Sequence, residues 1–185
     1  MKFKILFLFI FGFLFAYGQT IPTDSLTGKF KYEQVIQADS LKQSDIYTGA
    51  KNWIVRTLKS SDNAINLDNL NKSSLNATGN LLLSNQGRFN NITVNFKFSV
   101  YCKDGKYKVV VDNFSLNYIY KSIEDGSSQQ RMVSLEEGFK NEYLYKKGGK
   151  LIENTYVEIN DKIKKMIDEL ESSVLSGKIV GDKEW

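Results

Sequence analysis

From Ile92 to Cys102 the even positions Ile92, Val94, Phe96, Phe98, Val100 and Cys102 are apolar, while Asn91, Thr93, Asn95, Lys97 and Ser99 are polar. Successive side chains of a strand point to opposite faces, so this alternation predicts a strand with one buried face. Asp104-Gly105 comes next, and this pair suits the positive φ that a type I′ hairpin turn needs at both central residues. Pairing outward from the turn sets Cys102 opposite Tyr107, Val100 opposite Val109 and Phe98 opposite Val111. Beyond Val111 the apolar set becomes Phe114, Leu116 and Tyr118, one residue out of step. An extra residue at Asp112-Asn113 brings these opposite Phe96, Val94 and Ile92, which predicts a β-bulge there. Residues 91–120 thus read as one long hairpin, with Lys97 facing Asp112.

The remaining elements are read from the same kind of pattern. Phe30, Tyr32 and Ile36 mark a strand over 29–37. Ser40 with Gln43 three residues on forms a capping box, opening a helix in which Ile46, Tyr47, Ala50, Trp53, Ile54, Thr57 and Leu58 make one apolar stripe. Trp53 is the expected anchor of the core. Two strands are expected over 63–70 and 75–83, the second presenting Leu75, Ala77, Gly79, Leu81 and Leu83 on one face, and Asn85-Gln86-Gly87 turns the chain into the hairpin. Periodicity is lost from 121 to 142, which reads as a mobile loop with a short helical turn at 135–139. A second helix over 152–172 carries Tyr156, Ile159, Ile163, Met166, Ile167 and Leu170 inward, with Glu158, Lys162, Lys165 and Glu169 outward. The last ten residues read as a frayed tail. The expected class is α+β, an antiparallel sheet with two helices packed on one face.

Two lysines precede an apolar run from Ile5 to Tyr17, with Ala16 and Gly18 placed for cleavage before Gln19. The run is shorter than the ~20 residues that span a bilayer, so 1–18 is read as a secretory signal peptide. The expected layout is signal 1–18, extended leader 19–28, one domain over 29–175 and a flexible tail from 176 to 185. The expected location is exported, periplasmic or secreted, with no stable membrane insertion after cleavage. Net charge is +4, Lys2 and Lys4 leave with the signal, and the remaining charges are interspersed, which argues against a polyanion partner. The single cysteine, Cys102, sits on the buried face of the hairpin and is read as a small hydrophobe.

Four segments carry a resemblance to a known family: the strand Tyr32–Ile36, the helix Ile46-Tyr47-x-x-Ala50-x-x-Trp53, the strand Ser74–Gly79 with its glycine, and the hairpin Phe96–Tyr120. Over about Lys29–Ser173 the chain resembles a family of exported bacterial domains of unknown function with a TATA-binding-protein-like fold. The resemblance implies the order β-α-β-β-β-β-α and implies no activity. DNA binding does not follow from the fold's name.

The chain has no histidine, which removes Ser-His-Asp and Cys-His catalysis and the usual zinc sites. It has no Ser-x-x-Lys and no phosphate-cradling glycine motif. Glu136-Glu137 and Asp168-Glu169 read as solvated surface, so neither catalysis nor a cofactor is expected. The expected function is a non-catalytic binding module that uses the uncovered sheet face, where Asn95, Lys97, Tyr101, Lys108, Ser115 and Asn117 would meet an envelope glycan, peptide or protein. The alternative is an assembly subunit docking through strand edges or through Tyr143, Tyr145 and Trp185. Asp24-Ser25-Leu26 and Asp39-Ser40-Leu41 also match the short Asp-Ser/Thr-apolar acceptor pattern for O-glycosylation in some Gram-negative bacteria.

Overall fold

A computed structural model of the chain describes residues 21–58, 65–66, 73–83, 89–121, 126–140 and 149–181. The expected signal peptide, the Asn85–Gly87 turn, Tyr143, Tyr145 and Trp185 lie outside these residues. The strands are β1 (Tyr32–Gln37), β2 (Ile65–Asn66), β3 (Ser74–Leu82), β4 (Phe89–Lys103), β5 (Lys106–Lys121) and β6 (Ser128–Ser134). The helices are α1 (Gln43–Thr57), α2 (Leu135–Lys140) and α3 (Gly149–Gly181). Of the strand expected over 63–70, only the two residues of β2 are described. No helix among the described residues is long and apolar enough to cross a membrane.

The sheet is antiparallel in the order β1-β5-β4-β3-β2, and β6 also pairs with β5. β5 is long enough to carry both neighbours on one side: β1 takes 106–111 and β6 takes 115–121. The hairpin register agrees with the pattern, with Cys102 opposite Tyr107, Val100 opposite Val109, Phe98 opposite Val111 and Val94 opposite Leu116. The expected bulge is present: Lys97 pairs with Asp112 and Asn95 with Ser115, leaving Asn113 and Phe114 against Phe96 alone. Asn113 takes φ 54, a left-handed geometry that its short amide side chain tolerates. A second irregularity between Asn90 and Thr93 places the extra residue on β4.

Helices and sheet close over one core. Trp53 and Phe98 are buried, with ring centroids 5.2 Å apart, and Ile159, Ile163, Ile167 and Leu170 of α3 join the same cluster. Two glycines permit close approach. A Cβ at Gly49 of α1 would lie 3.0 Å from Cα of Val174 on α3, and one at Gly79 of β3 would overlap the ring of Phe96.

Several expectations are corrected. Asp104 does not adopt positive φ; only Gly105 does, at φ 74, so the turn is not type I′. Tertiary contacts shape it instead. Asp104 Oδ1 accepts from the backbone N–H of Gln43 at 2.8 Å, while Gly105 exchanges hydrogen bonds with Ala38 and Leu41. The hairpin tip thereby caps α1, whose N-cap is Lys42 with no side-chain cap of its own, and the Ser40/Gln43 capping box does not form. A capping box lies at α2 instead: Ser134 Oγ accepts from Glu137 N–H at 3.1 Å and Glu137 Oε2 accepts from Ser134 N–H at 3.3 Å. Within the span read as a loop, 128–134 is a strand, because β5 offers an unfilled backbone edge there. α3 begins at Gly149 and continues to Gly181, beyond both ends of the expected helix. The leader is not extended where described: Thr23 bridges Phe30, and Ile21 is buried in the core.

Candidate functional site

The helices cover the sheet face that holds Phe96, Phe98 and Val100, so the six residues singled out in the sequence share the opposite face. The bulge makes this possible on β5. Lys108 precedes it at an even position, Ser115 and Asn117 come after it at odd ones, and the extra residue brings all three to the same side. Along the strands, however, five of the six separate into two groups. Tyr101 and Lys108 lie near the hairpin tip, while Asn95, Ser115 and Asn117 lie beyond the bulge, about 20 Å away at the usual rise per residue.

At the tip end Tyr101 and Lys108 are direct cross-strand partners, and the ammonium lies 5.3 Å from the ring centroid, within cation–π range. The same ammonium is 3.3 Å from Glu33 Oε1 on β1, and Glu33 also pairs with Lys31. Hydrogen bonds from Lys31 and then Lys108 hold the Glu33 carboxyl below the usual carboxylate range. Glu33 in turn pushes the Lys31 ammonium up. Tyr101 remains 42% exposed.

At the far end Asn95 faces Ser115, Asn117 faces Thr93, and Asn117 Oδ1 accepts from Gln130 Nε2 on β6 at 3.1 Å. Lys97 stands between the groups, opposite Asp112. Two outward residues of the middle are buried: Ser99, whose hydroxyl donates to Asn76 Oδ1 at 2.9 Å, and its partner Val110. The run Val109-Val110-Val111 carried the signal for this patch, since three apolar residues in succession supply both faces of a strand. Sequence reading missed Glu33, Asn76 and Gln130, which reach the face from strands whose neighbours local pattern does not reveal.

A second feature lies at the β1 edge, where the leader turn, β1 and α3 enclose a cleft of about 530 Å³ lined by Pro22, Asp24, Lys31, Tyr32, Lys164 and Asp168 among others. Tyr32 in its wall donates a hydrogen bond to Asn160 Oδ1 at 3.1 Å. Burial, assisted by the charge of Asp161, drives that phenol well above its ordinary range. Asn160 is buried, and its Nδ2 has no partner among the described residues. Glu136 was read as solvated surface, yet its Oε1 accepts from Phe30 N–H at 2.8 Å, tying α2 to the chain just before β1. Burial pushes the Cys102 thiol up to about 11, which leaves little thiolate at neutral pH.

Residues 32–117, from the first residue of β1 to Asn117 within β5, match the model of a family described as a domain of unknown function (DUF4468) with TBP-like fold. Over these residues the chain is similar to that family. Two crystal structures are similar to it. One, a TBP-like protein from Parabacteroides distasonis, has 17% identity and a TM-score of 0.60, covering 83% of this chain and 96% of that one. The other, a DUF4468 family protein from Bacteroides ovatus, has 17% identity and a TM-score of 0.52, covering 87% and 91%. At that identity the likeness carries the TBP-like α+β fold and nothing about chemistry. No curated protein matches the sequence.

Proposed function

We propose that this protein is an exported, non-catalytic binding module of the bacterial envelope, with its signal removed before Gln19, and that it grips a glycan through the tip end of the sheet face opposite the helices. The observation that carries the reading is Tyr101: a ring 42% exposed on the sheet face, steadied by Lys108 across the strand pair. A sugar ring stacks on such a surface through its C–H groups, while the neighbouring charged and amide groups satisfy its hydroxyls. The cation is useful because Glu33 already neutralises it, so a neutral polar ligand meets little net charge. Nucleic acid is not the proposed partner, because the basic groups of this face are paired or scattered and form no phosphate-tracking stripe.

The test is a screen of the mature protein against glycan arrays and envelope extracts, repeated with Tyr101→Ala. Binding that the substitution abolishes supports the reading; undiminished binding removes this surface from it.

One observation favours a second reading, an assembly subunit that docks through strand edges. Val35 on β1 and Met132 on β6 are 55% and 71% exposed, and both strands lie on the same side of β5. A monomer by light scattering, with no crosslinked partner recovered from intact envelopes, would count against that reading.

A further inference from the structure

We propose that Ser25 is the acceptor of an O-linked glycan, with Asp24-Ser25-Leu26 as the recognised tripeptide; this rests on the export proposed above. Two tripeptides of the chain match the acceptor pattern, both with an exposed serine, and the fold separates them at the apolar third residue. In the first, the Asp24 carboxylate folds back over its own turn, 3.7 Å from the Lys31 ammonium. Its Oδ1 accepts from Leu26 N–H at 3.0 Å, Thr27 N–H at 2.8 Å and the Thr27 hydroxyl at 2.9 Å. Backbone bonds from Gly28 to Asp24 and from Asp24 to Lys29 close the loop, with Gly28 at φ 66. Buried Ile21 anchors its base.

This arrangement leaves Ser25 exposed at the turn and Leu26 94% exposed beside it. A transferase therefore meets both the hydroxyl and the apolar side chain from solvent, on a turn already shaped by the aspartate. In the second tripeptide Leu41 is 5% exposed. Its N–H donates to Ala38 O, and its carbonyl accepts from Gly105 N–H at 3.0 Å. Engaging Leu41 would require lifting the start of α1 off the hairpin tip.

The transfer balances with one co-substrate, a glycan activated as a diphosphate ester. Ser25 Oγ attacks the anomeric carbon and forms the new C–O bond as the anomeric bond to the diphosphate breaks. The diphosphate leaves with the electron pair, and the serine proton passes to a base on the transferase. The chain contributes only the acceptor.

The test expresses the full chain, leader included, in a Gram-negative host that O-glycosylates exported proteins, with N-terminal sequencing and peptide mass mapping of the product. The expected product begins at Gln19 and carries glycan mass on the tryptic peptide 19–29, localised to Ser25 by fragmentation, while the peptide holding Ser40 is bare. Ser25→Ala loses the added mass with an unchanged thermal melt. A processed chain with a bare 19–29 peptide, or one glycosylated at Ser40 instead, overturns the assignment and leaves export standing. An unprocessed chain overturns export and takes the assignment with it.

Discussion

β1 and β6 occupy the same side of β5, one after the other, yet they are held there by different means. β1 inserts Tyr32 and Ile36 into the core, so its register is set by side chains that a one-residue slip would expose to water. β6 has five exposed residues and then two half-buried ones, and only Val133 packs against the core. Its attachment comes from the backbone ladder and from its C-terminal neighbour, the fully buried Leu135 at the start of α2. Identical backbone pairing therefore conceals a strand fixed by its own side chains and a strand fixed by the residue next to it. The first belongs to the cooperative core; the second is built to open locally.

The largest expected effect separates the two directly. Ile36→Ala should cost about 2–5 kcal/mol, as buried aliphatic truncations do, whereas Met132→Ala should stay within about 0.5 kcal/mol as a surface change. Urea denaturation measures both, and equal costs would erase the distinction. Next, Leu135→Ala should cost about 2–5 kcal/mol locally and show as faster hydrogen exchange across β6 than across β1. Uniform acceleration of both strands would mean that β6 is no separate unit.

Ser134→Ala removes one half of the capping box that joins β6 to α2 and should cost about 1 kcal/mol, again read in the exchange of β6. The smallest effect concerns charge at β1. Glu33 has a depressed carboxyl pKa in the fold, so its contribution is present above the unfolded value and is lost as pH falls through the folded one. The denaturation midpoint should thus fall slightly more between about pH 5 and pH 3 in the parent than in Glu33→Gln. Parallel pH profiles would show that the Lys31–Glu33–Lys108 chain contributes nothing to holding β1.

The candidate surface was legible only in part. The outward direction of Asn95, Lys97, Tyr101, Lys108, Ser115 and Asn117 came from alternation and one bulge, because strand periodicity is a local property. Their division into two distant groups could not be read that way, and neither could Glu33 as the carboxylate that holds Lys108. That carboxylate arrives on β1, and nothing in β5 records which strand lies beside it.

By itself the sequence determined the elements whose information is short-ranged: the β4–β5 register, the bulge at Asp112-Asn113 and the inward stripes of α1 and α3. There each residue's face depends on neighbours two to four positions away, and one wrong step would bury polar groups. Only the tertiary structure decided the shape of the Asp104-Gly105 turn, the capping of α1 by Asp104, the folding of the leader onto Phe30 and the existence of β6. The turn and the cap rest on the hairpin tip meeting residues 38–43 far away in sequence, with the Asp104 carboxylate on the Gln43 N–H, while the Thr23–Phe30 bridge and most of β6 rest on backbone pairing with no alternation of apolar side chains to announce it. The backbone is the same at every residue, so such pairing leaves no pattern of side chains to read.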